Sequence, residues 1–339
     1  MNMKIAFFGV EEAEKESYFS KGLADHELTF FPEPITEDSL PEKSDFDVIS
    51  VFVDCAVTPK VINHFPNLKL IVARSTGFDN IDLKAAKDKK IPVANVPAYG
   101  SHTVAEFAFG LILNLSRKIY QGINRLKVGC DFDFEGLRGF DLNGKTLGVV
   151  GTGKIGANVI KIAQGFQMNV VACDAYPNEE LSKTLSFSYV SLEELLKTAD
   201  IVTLHVPYMK ETHHLINRDN IFLMKKGSLL INTARGAVVE TEALFQALTQ
   251  EHLAGAALDV LEEEGELKEE AELLSKKKLK SKDLKNVLET HILINQPQVL
   301  ITPHMAFYTK EAEFSIMETT VKNINSFLEG KPENIVNKD

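Results

Sequence analysis

The chain has 339 residues, a length that accommodates about two domains, and its 44% apolar and 25% charged residues exclude intrinsic disorder. A net charge of −11 repels phosphate backbones and anionic lipid, so neither nucleic acid nor a membrane is the expected partner.

The first strand candidate is residues 4–10, an apolar stretch too short for a signal sequence and followed at once by acidic EEAEKE. Strand candidates continue at 47–53 and 68–73, each closed by small or turn-forming residues. Residues 104–115 read as a helix. Its apolar run of seven residues lies between Glu106 and Asn114, short of the about 20 a membrane helix needs, and it is apolar on more than one face. Further strands are expected at 145–150, 168–173, 201–206, 228–232 and 255–260. Strands alternating with helical patterns predict an α/β protein of two doubly wound parallel sheets. The two halves echo each other. Residues 47–53 (DVISVFV) resemble 200–206 (DIVTLHV), and KLIVARSTG at 69–77 resembles SLLINTARG at 228–236, each ending in a turn that carries an arginine, Arg74 or Arg235. In open parallel sheets the strand ends are where ligands bind. From 262 to 290 the chain is a run of charges, first acidic and then basic, which reads as a solvated surface excursion.

The motif KTLGVVGTGKIG at 145–156 holds G-x-G-x-x-G at Gly151, Gly153 and Gly156, after a strand and before a helical segment expected at 157–166. The first glycine allows the tight turn, the second lets the backbone approach a pyrophosphate, and the third lets helix and strand pack closely. The same stretch satisfies G-x-x-x-x-G-K, but Ile155 stands where an NTPase needs Ser or Thr for magnesium, so the triphosphate reading fails. Asp174 ends the next strand, 18 residues beyond Gly156, where a carboxylate accepts ribose hydroxyls and repels a 2′-phosphate. NAD rather than NADP is the expected cofactor.

Three polar residues close later apolar runs: Arg235, Glu264 and His304. Hydride transfer to or from a carbinol carbon needs a proton moved in step with it. A histidine serves, a carboxylate can orient it, and an arginine can clamp an anionic substrate. On spacing alone these are equally well three unrelated turn residues, because no short motif ties them together. The cysteines, Cys55, Cys130 and Cys173, are far apart and lack CxxC spacing, which points to a reducing, cytoplasmic setting and to no metal site.

Taken together, GTGKIG, Asp174, HVPYMKETHHLIN (205–217), INTARGAVVE (231–240), GAALDVLEEE (255–264) and LITPHMAFYT (300–309) resemble the D-isomer-specific 2-hydroxyacid dehydrogenases. RSTGFDNID (74–82) and NVPAYGSHTVAEFAFGLIL (95–113) extend the match over nearly the whole chain, and the tail looks most like the D-lactate dehydrogenase branch. The resemblance implies a flavodoxin-like substrate domain of residues 1–100 plus 306–339, a Rossmann NAD domain of 101–305, a cleft between them, and a homodimer with helix 104–115 at its two-fold axis. It makes His304 the proton donor to a small 2-keto acid, pyruvate first, Glu264 its carboxylate partner, and Arg235 the clamp on the substrate carboxylate. Ser75, Thr76 and Gly77 would add backbone N–H groups, and Tyr99 and Phe307 would border the pocket. Around NAD, Lys154 and Ile155 would meet the pyrophosphate, Asp174 the adenine ribose, and Val206, Pro207 and Thr212 the adenine side. Thr233, Ala234 and Asp259 would line the nicotinamide side, and Arg235 and His304 would also touch the cofactor. Leu261 and Gly265 depart from the family pattern at the pocket rim. A larger or phosphorylated 2-hydroxy acid is the alternative substrate, with Arg74 the nearby extra cation, and an NAD-sensing corepressor is the non-enzymatic alternative.

Overall fold

The computed structural model describes residues 2–262 and 292–338. The chain forms two compact units, Met1–Tyr99 with Tyr308–Asp339, and Gly100–Phe307.

In the first unit, strands β1 (Lys4–Phe8), β2 (Glu27–Phe31), β3 (Val48–Val51), β4 (Leu70–Ala73) and β5 (Val93–Ala94) form one parallel sheet in the order β2-β1-β3-β4-β5. β1, β3 and β4 are almost wholly buried, which explains their unbroken apolar runs. Successive side chains feed opposite faces. Ala6, Phe8, Ile49, Val51 and Ile71 pack with Val61, Ile62 and Phe65 on one side, while Ile5, Phe7, Val48, Leu70 and Val72 meet Phe19 and Ile324 on the other. Ile324 comes from the C-terminal helix Lys310–Leu328, so the last segment of the chain completes the first unit's core. Helices α1 (Ala13–Gly22), α2 (Pro59–His64) and α3 (Leu83–Asp88) connect the strands. Thr58 caps α2 by accepting the Val61 N–H and Asp82 caps α3 by accepting that of Ala85.

The second unit's sheet contains β6 (Thr146–Val150), β7 (Asn169–Cys173), β8 (Ser188–Tyr189), β9 (Ile201–Leu204), β10 (Ser228–Asn232), β11 (Leu253–Leu258) and β12 (Val299–Ile301). It too is parallel, in the order β12-β11-β10-β9-β6-β7-β8. Helices α4 (Ser101–Arg117), α5 (Ile119–Gly129), α6 (Lys154–Gly165), α7 (Glu179–Thr184), α8 (Leu192–Thr198) and α9 (Thr241–Thr249) belong to this unit. α8 and α9 cover one face, where Leu195 and Leu244 meet Val202 and Leu230; α4 and α6 cover the other, where Ile112 and Ile160 meet Leu147 and Ile231. The strand order reverses beside β6, so the carboxyl ends of β6 and β9 mark a topological switch point. The protein is thus α/β with two parallel sheets, as the alternation predicts. Among the described residues no helix is long and apolar enough to cross a membrane.

The internal echo has a physical cause. Asp47 accepts the Lys4 N–H at 2.9 Å and pairs with Lys69, while Asp200 accepts the Thr146 N–H at 2.8 Å and pairs with Lys225. Each aspartate precedes a central strand and holds the start of its neighbour. The arginines differ. Arg74 is buried, and its two Nη nitrogens donate to Ser50 O and Oγ and to the carbonyls of Phe8 and Gly9, tying together the ends of β1, β3 and β4. Burial lowers its pKa to about 10. That commitment leaves it a strand clamp rather than the extra cation for a second substrate anion.

Candidate active site

The phosphate-binding turn is built by close approach. Gly151 has φ +92°, and a Cβ there would lie 2.7 Å from the His205 carbonyl oxygen; one at Gly156 would lie 2.0 Å from that of Gly151. At Gly153 a Cβ would meet nothing within 4 Å, so that side is open to a ligand. Gly153 is also the N-cap of α6 and makes no side-chain cap, leaving the first N–H groups, beginning at Lys154 and Ile155, to face an anion with the positive end of the helix dipole. The helix starts at Lys154 rather than at 157 because K-I-G forms its first turn, where glycine is tolerated.

Asp174 directly follows β7. Its Oδ2 accepts the Thr152 N–H (2.6 Å) and hydroxyl (2.9 Å), and its Oδ1 accepts the Tyr176 N–H (2.9 Å). Burial opposes its charge, and the donors from Thr152 and Tyr176 outweigh burial, so its pKa lies below the ordinary value. Beyond β9, the Thr212 hydroxyl donates to the Pro207 carbonyl at 2.7 Å and accepts the Met209 N–H at 2.8 Å, closing the loop that carries Val206 and Pro207. His205 stays neutral, since burial lowers its pKa to about 3.

Asn232, the last residue of β10, clips the next turn. Its amide donates to the Arg235 carbonyl (2.9 Å), its Oδ1 accepts the Ala234 N–H (3.0 Å), and its own carbonyl accepts the Asp259 N–H (2.9 Å). Asp259 then holds the turn after β12. Its Oδ1 accepts the Thr302 hydroxyl (2.5 Å) and the Met305 N–H (2.9 Å), its Oδ2 accepts the Ala306 N–H (2.8 Å), and its carbonyl accepts the His304 N–H (2.9 Å). Burial raises the Asp259 pKa, against the pull of these donors. His304 has φ +52°, a left-handed conformation uncommon outside glycine, and the Asp259 bonds are what maintain it. A continuous chain of hydrogen bonds therefore runs from the Arg235 turn through Asn232 and Asp259 to the His304 turn. Arg235 is half-buried, with Nη1 on the Ala234 carbonyl at 2.8 Å. Gly236 sits so close to the next strand's exit that a Cβ would fall 1.9 Å from the Leu261 carbonyl carbon. Glu264 lies outside the described residues, as does most of the charged excursion.

The residues present fit a dinucleotide. The open face at Gly153, the uncapped helix end and the Thr233 hydroxyl, buried and without a hydrogen-bond partner among the described residues, are the groups such a ligand would fill.

In the first unit, the turn Ser75–Thr76–Gly77 follows β4. Its carbonyls are occupied, that of Ser75 by the Val96 N–H and that of Thr76 by the Asn95 amide, whereas the N–H groups of Ser75, Thr76 and Gly77 donate no hydrogen bond among the described residues. Tyr99, half-buried, ends the first stretch of this unit, and Phe307 is the last residue of the second unit. Asn232, Thr152 and Tyr189 were not legible as site residues. Asn232 reads as the last residue of a strand, and Thr152 reads as a free position of the glycine motif.

The family model for the D-isomer specific 2-hydroxyacid dehydrogenase NAD binding domain matches residues 109–306. A 2-hydroxyacid dehydrogenase homolog of Zymomonas mobilis is 36% identical, the match covering 97% of this chain and 98% of that protein. The D-lactate dehydrogenase of Escherichia coli is 34% identical over 97% of this chain and 98% of its own. The D-lactate dehydrogenase of Aquifex aeolicus, solved with NAD and lactic acid, superposes with a TM-score of 0.87 at 38% identity, covering 99% of both chains. Shared sequence over the full length and a strand-end edge fitted to a dinucleotide lead to one conclusion: the chain belongs to the D-isomer-specific 2-hydroxyacid dehydrogenases and is an NAD-dependent enzyme of the D-lactate dehydrogenase-like kind.

Proposed function

We propose that this enzyme reduces small 2-keto acids, pyruvate first, to the D-2-hydroxy acid. The observation that carries the reading is the hydrogen-bonded bridge from the Arg235 turn to the His304 turn through Asn232 and Asp259. It holds the backbones of the turns that carry Arg235 and His304, which supports a guanidinium for an anion and an imidazole for a proton working side by side. When bound in its reduced form, NAD supplies the hydride. His304 delivers the proton to the C2 oxygen, with Glu264 as its carboxylate partner. Arg235 holds the substrate carboxylate and polarises the carbonyl, a task suited to its two-pronged donor geometry. The N–H groups of Ser75, Thr76 and Gly77 take part in holding that carboxylate, and Tyr99 and Phe307 restrict the substrate side chain. Lys154, Ile155 and Gly153 receive the pyrophosphate, Val206, Pro207 and Thr212 border the adenine, and Thr233, Ala234 and Asp259 border the nicotinamide. The test is kcat/KM for NADH oxidation by pyruvate and by longer, branched and aromatic 2-keto acids. Pyruvate is expected to lead; equal or better use of a bulky 2-keto acid would replace the pyruvate assignment.

The same reading includes a homodimer in a reducing, cytoplasmic setting, the latter in keeping with three free thiols. The apolar face of α4 is filled within its own unit, where Ala105, Ala108, Phe109 and Ile112 are buried. On this reading helix 104–115 still lies at the two-fold axis, and α5, which follows α4 and has no buried residue, adds exposed Ile119, Tyr120, Ile123 and Leu126, followed by Phe132 and Phe134. A patch of this kind suits a protein interface. Light scattering at micromolar concentration is expected to give twice the chain mass, and a monomer mass would count against the dimer.

A further inference from the structure

The Asp174 carboxylate sits at the end of a relay that runs from buried Thr152 out to exposed Asn178. Thr152 Oγ1 lies 2.9 Å from Asp174 Oδ2 and 2.8 Å from the Tyr189 hydroxyl, which in turn accepts the Asn178 N–H at 3.1 Å. The direction of every bond is forced. An ionised carboxylate only accepts, so the Thr152 hydroxyl donates to it; the Thr152 oxygen then accepts from Tyr189, whose oxygen accepts from the backbone of Asn178. Asn178 is itself fixed, because its side chain caps α7 by accepting the Leu181 N–H at 3.0 Å. Thr152 is buried, and Tyr189 on β8 is half-buried and stacked edge-on against Phe187.

The relay has a consequence for the free side of the carboxylate. An ionised carboxylate offers about four acceptor positions. Thr152 fills both on Oδ2 and the Tyr176 N–H fills one on Oδ1. The remaining position, on Oδ1, is the one left for a ligand, and the carboxylate cannot rotate to present Oδ2 without breaking two bonds.

We infer that Thr152 and Tyr189 are positioning residues for cofactor choice: they lock the Asp174 carboxylate with Oδ1 toward the adenine ribose, and this fixed negative charge is what disfavours a 2′-phosphate. The inference rests on the reading that Asp174 meets the adenine ribose. A loosely held aspartate could turn aside and let the phosphate in, whereas a locked one cannot.

The experiment is direct titration of the purified enzyme with NADH and with NADPH, by calorimetry, to obtain both dissociation constants without turnover. Thr152→Val keeps the shape and the backbone donor but removes the hydroxyl. It is expected to shrink the NADPH-to-NADH ratio of Kd about tenfold, the effect of losing one hydrogen bond to a charged group. Tyr189→Phe, which removes only the second link, is expected to shrink it about threefold. Thr152→Ser keeps the hydroxyl and should keep the wild-type ratio. If Thr152→Val and Tyr189→Phe change both constants by the same factor, or change neither, the lock is wrong and the two residues are merely structural. Asp174→Ala separates the levels: a ratio near one supports the ribose assignment, whereas a wild-type ratio in that variant overturns the ribose assignment and the lock with it.

Discussion

Replacing His304 by Ala should lower kcat/KM for pyruvate reduction by about 10² to 10⁴-fold at every pH, the span that general acid catalysis supplies. The geometry makes this a test of chemistry rather than of folding. The turn at 302–306 is held by Asp259 through the Thr302 hydroxyl and the N–H groups of His304, Met305 and Ala306, none of which depends on the imidazole. Alanine must still adopt the left-handed conformation at φ +52°, at a strain of roughly 1 to 2 kcal/mol. His304→Asn is the companion variant, since asparagine tolerates that conformation while lacking a comparable proton donor. Both variants should lose activity to the same degree, with Asn closer to wild type in thermal midpoint. A loss below tenfold in both would remove His304 from the proton step.

Arg235→Lys should reduce kcat/KM by about 10 to 10²-fold, the equivalent of one or more hydrogen bonds to a charged group. Lysine keeps the charge but is a point donor and cannot reproduce a planar two-pronged contact with a carboxylate. The turn should survive, because Asn232 holds it through the Arg235 carbonyl and the Ala234 N–H rather than through the guanidinium. An interaction made equally in the bound and transition states shows in KM alone, and one made only in the transition state lowers kcat. Because Arg235 is assigned both to hold the carboxylate and to polarise the carbonyl, both constants should change. Steady-state kinetics with pyruvate decides the matter, and wild-type kcat/KM in the variant would mean that another group is the clamp.

The parallel sheets and the order of the site motifs were legible because buried central strands write long apolar runs, as in β3 and β4 or β9 and β10. β2 was not, since Glu27–Phe31 is an edge strand that is only partly buried, and β5 and β8 are two residues each. The glycine motif was legible because close backbone approach leaves no alternative to glycine at Gly151 and Gly156. What the sequence hides is the support behind each site residue. Asp259 reaches the His304 turn across 43 to 47 positions, and Thr152 meets Tyr189 across 37, distances at which no spacing rule operates. Arg74 is the converse case: a basic residue at a strand end reads as available to a ligand, and its guanidinium is committed to the ends of β1 and β3.

On the proposed function, this chain transfers a hydride from NADH to the C2 carbon of a small 2-keto acid with D selectivity. The most direct measurement is NADH oxidation with pyruvate as acceptor, followed by chiral analysis of the lactate formed. D-lactate, formed in the same molar amount as NADH consumed, is the expected result. L-lactate, or no NADH oxidation with any 2-keto acid, would contradict the account.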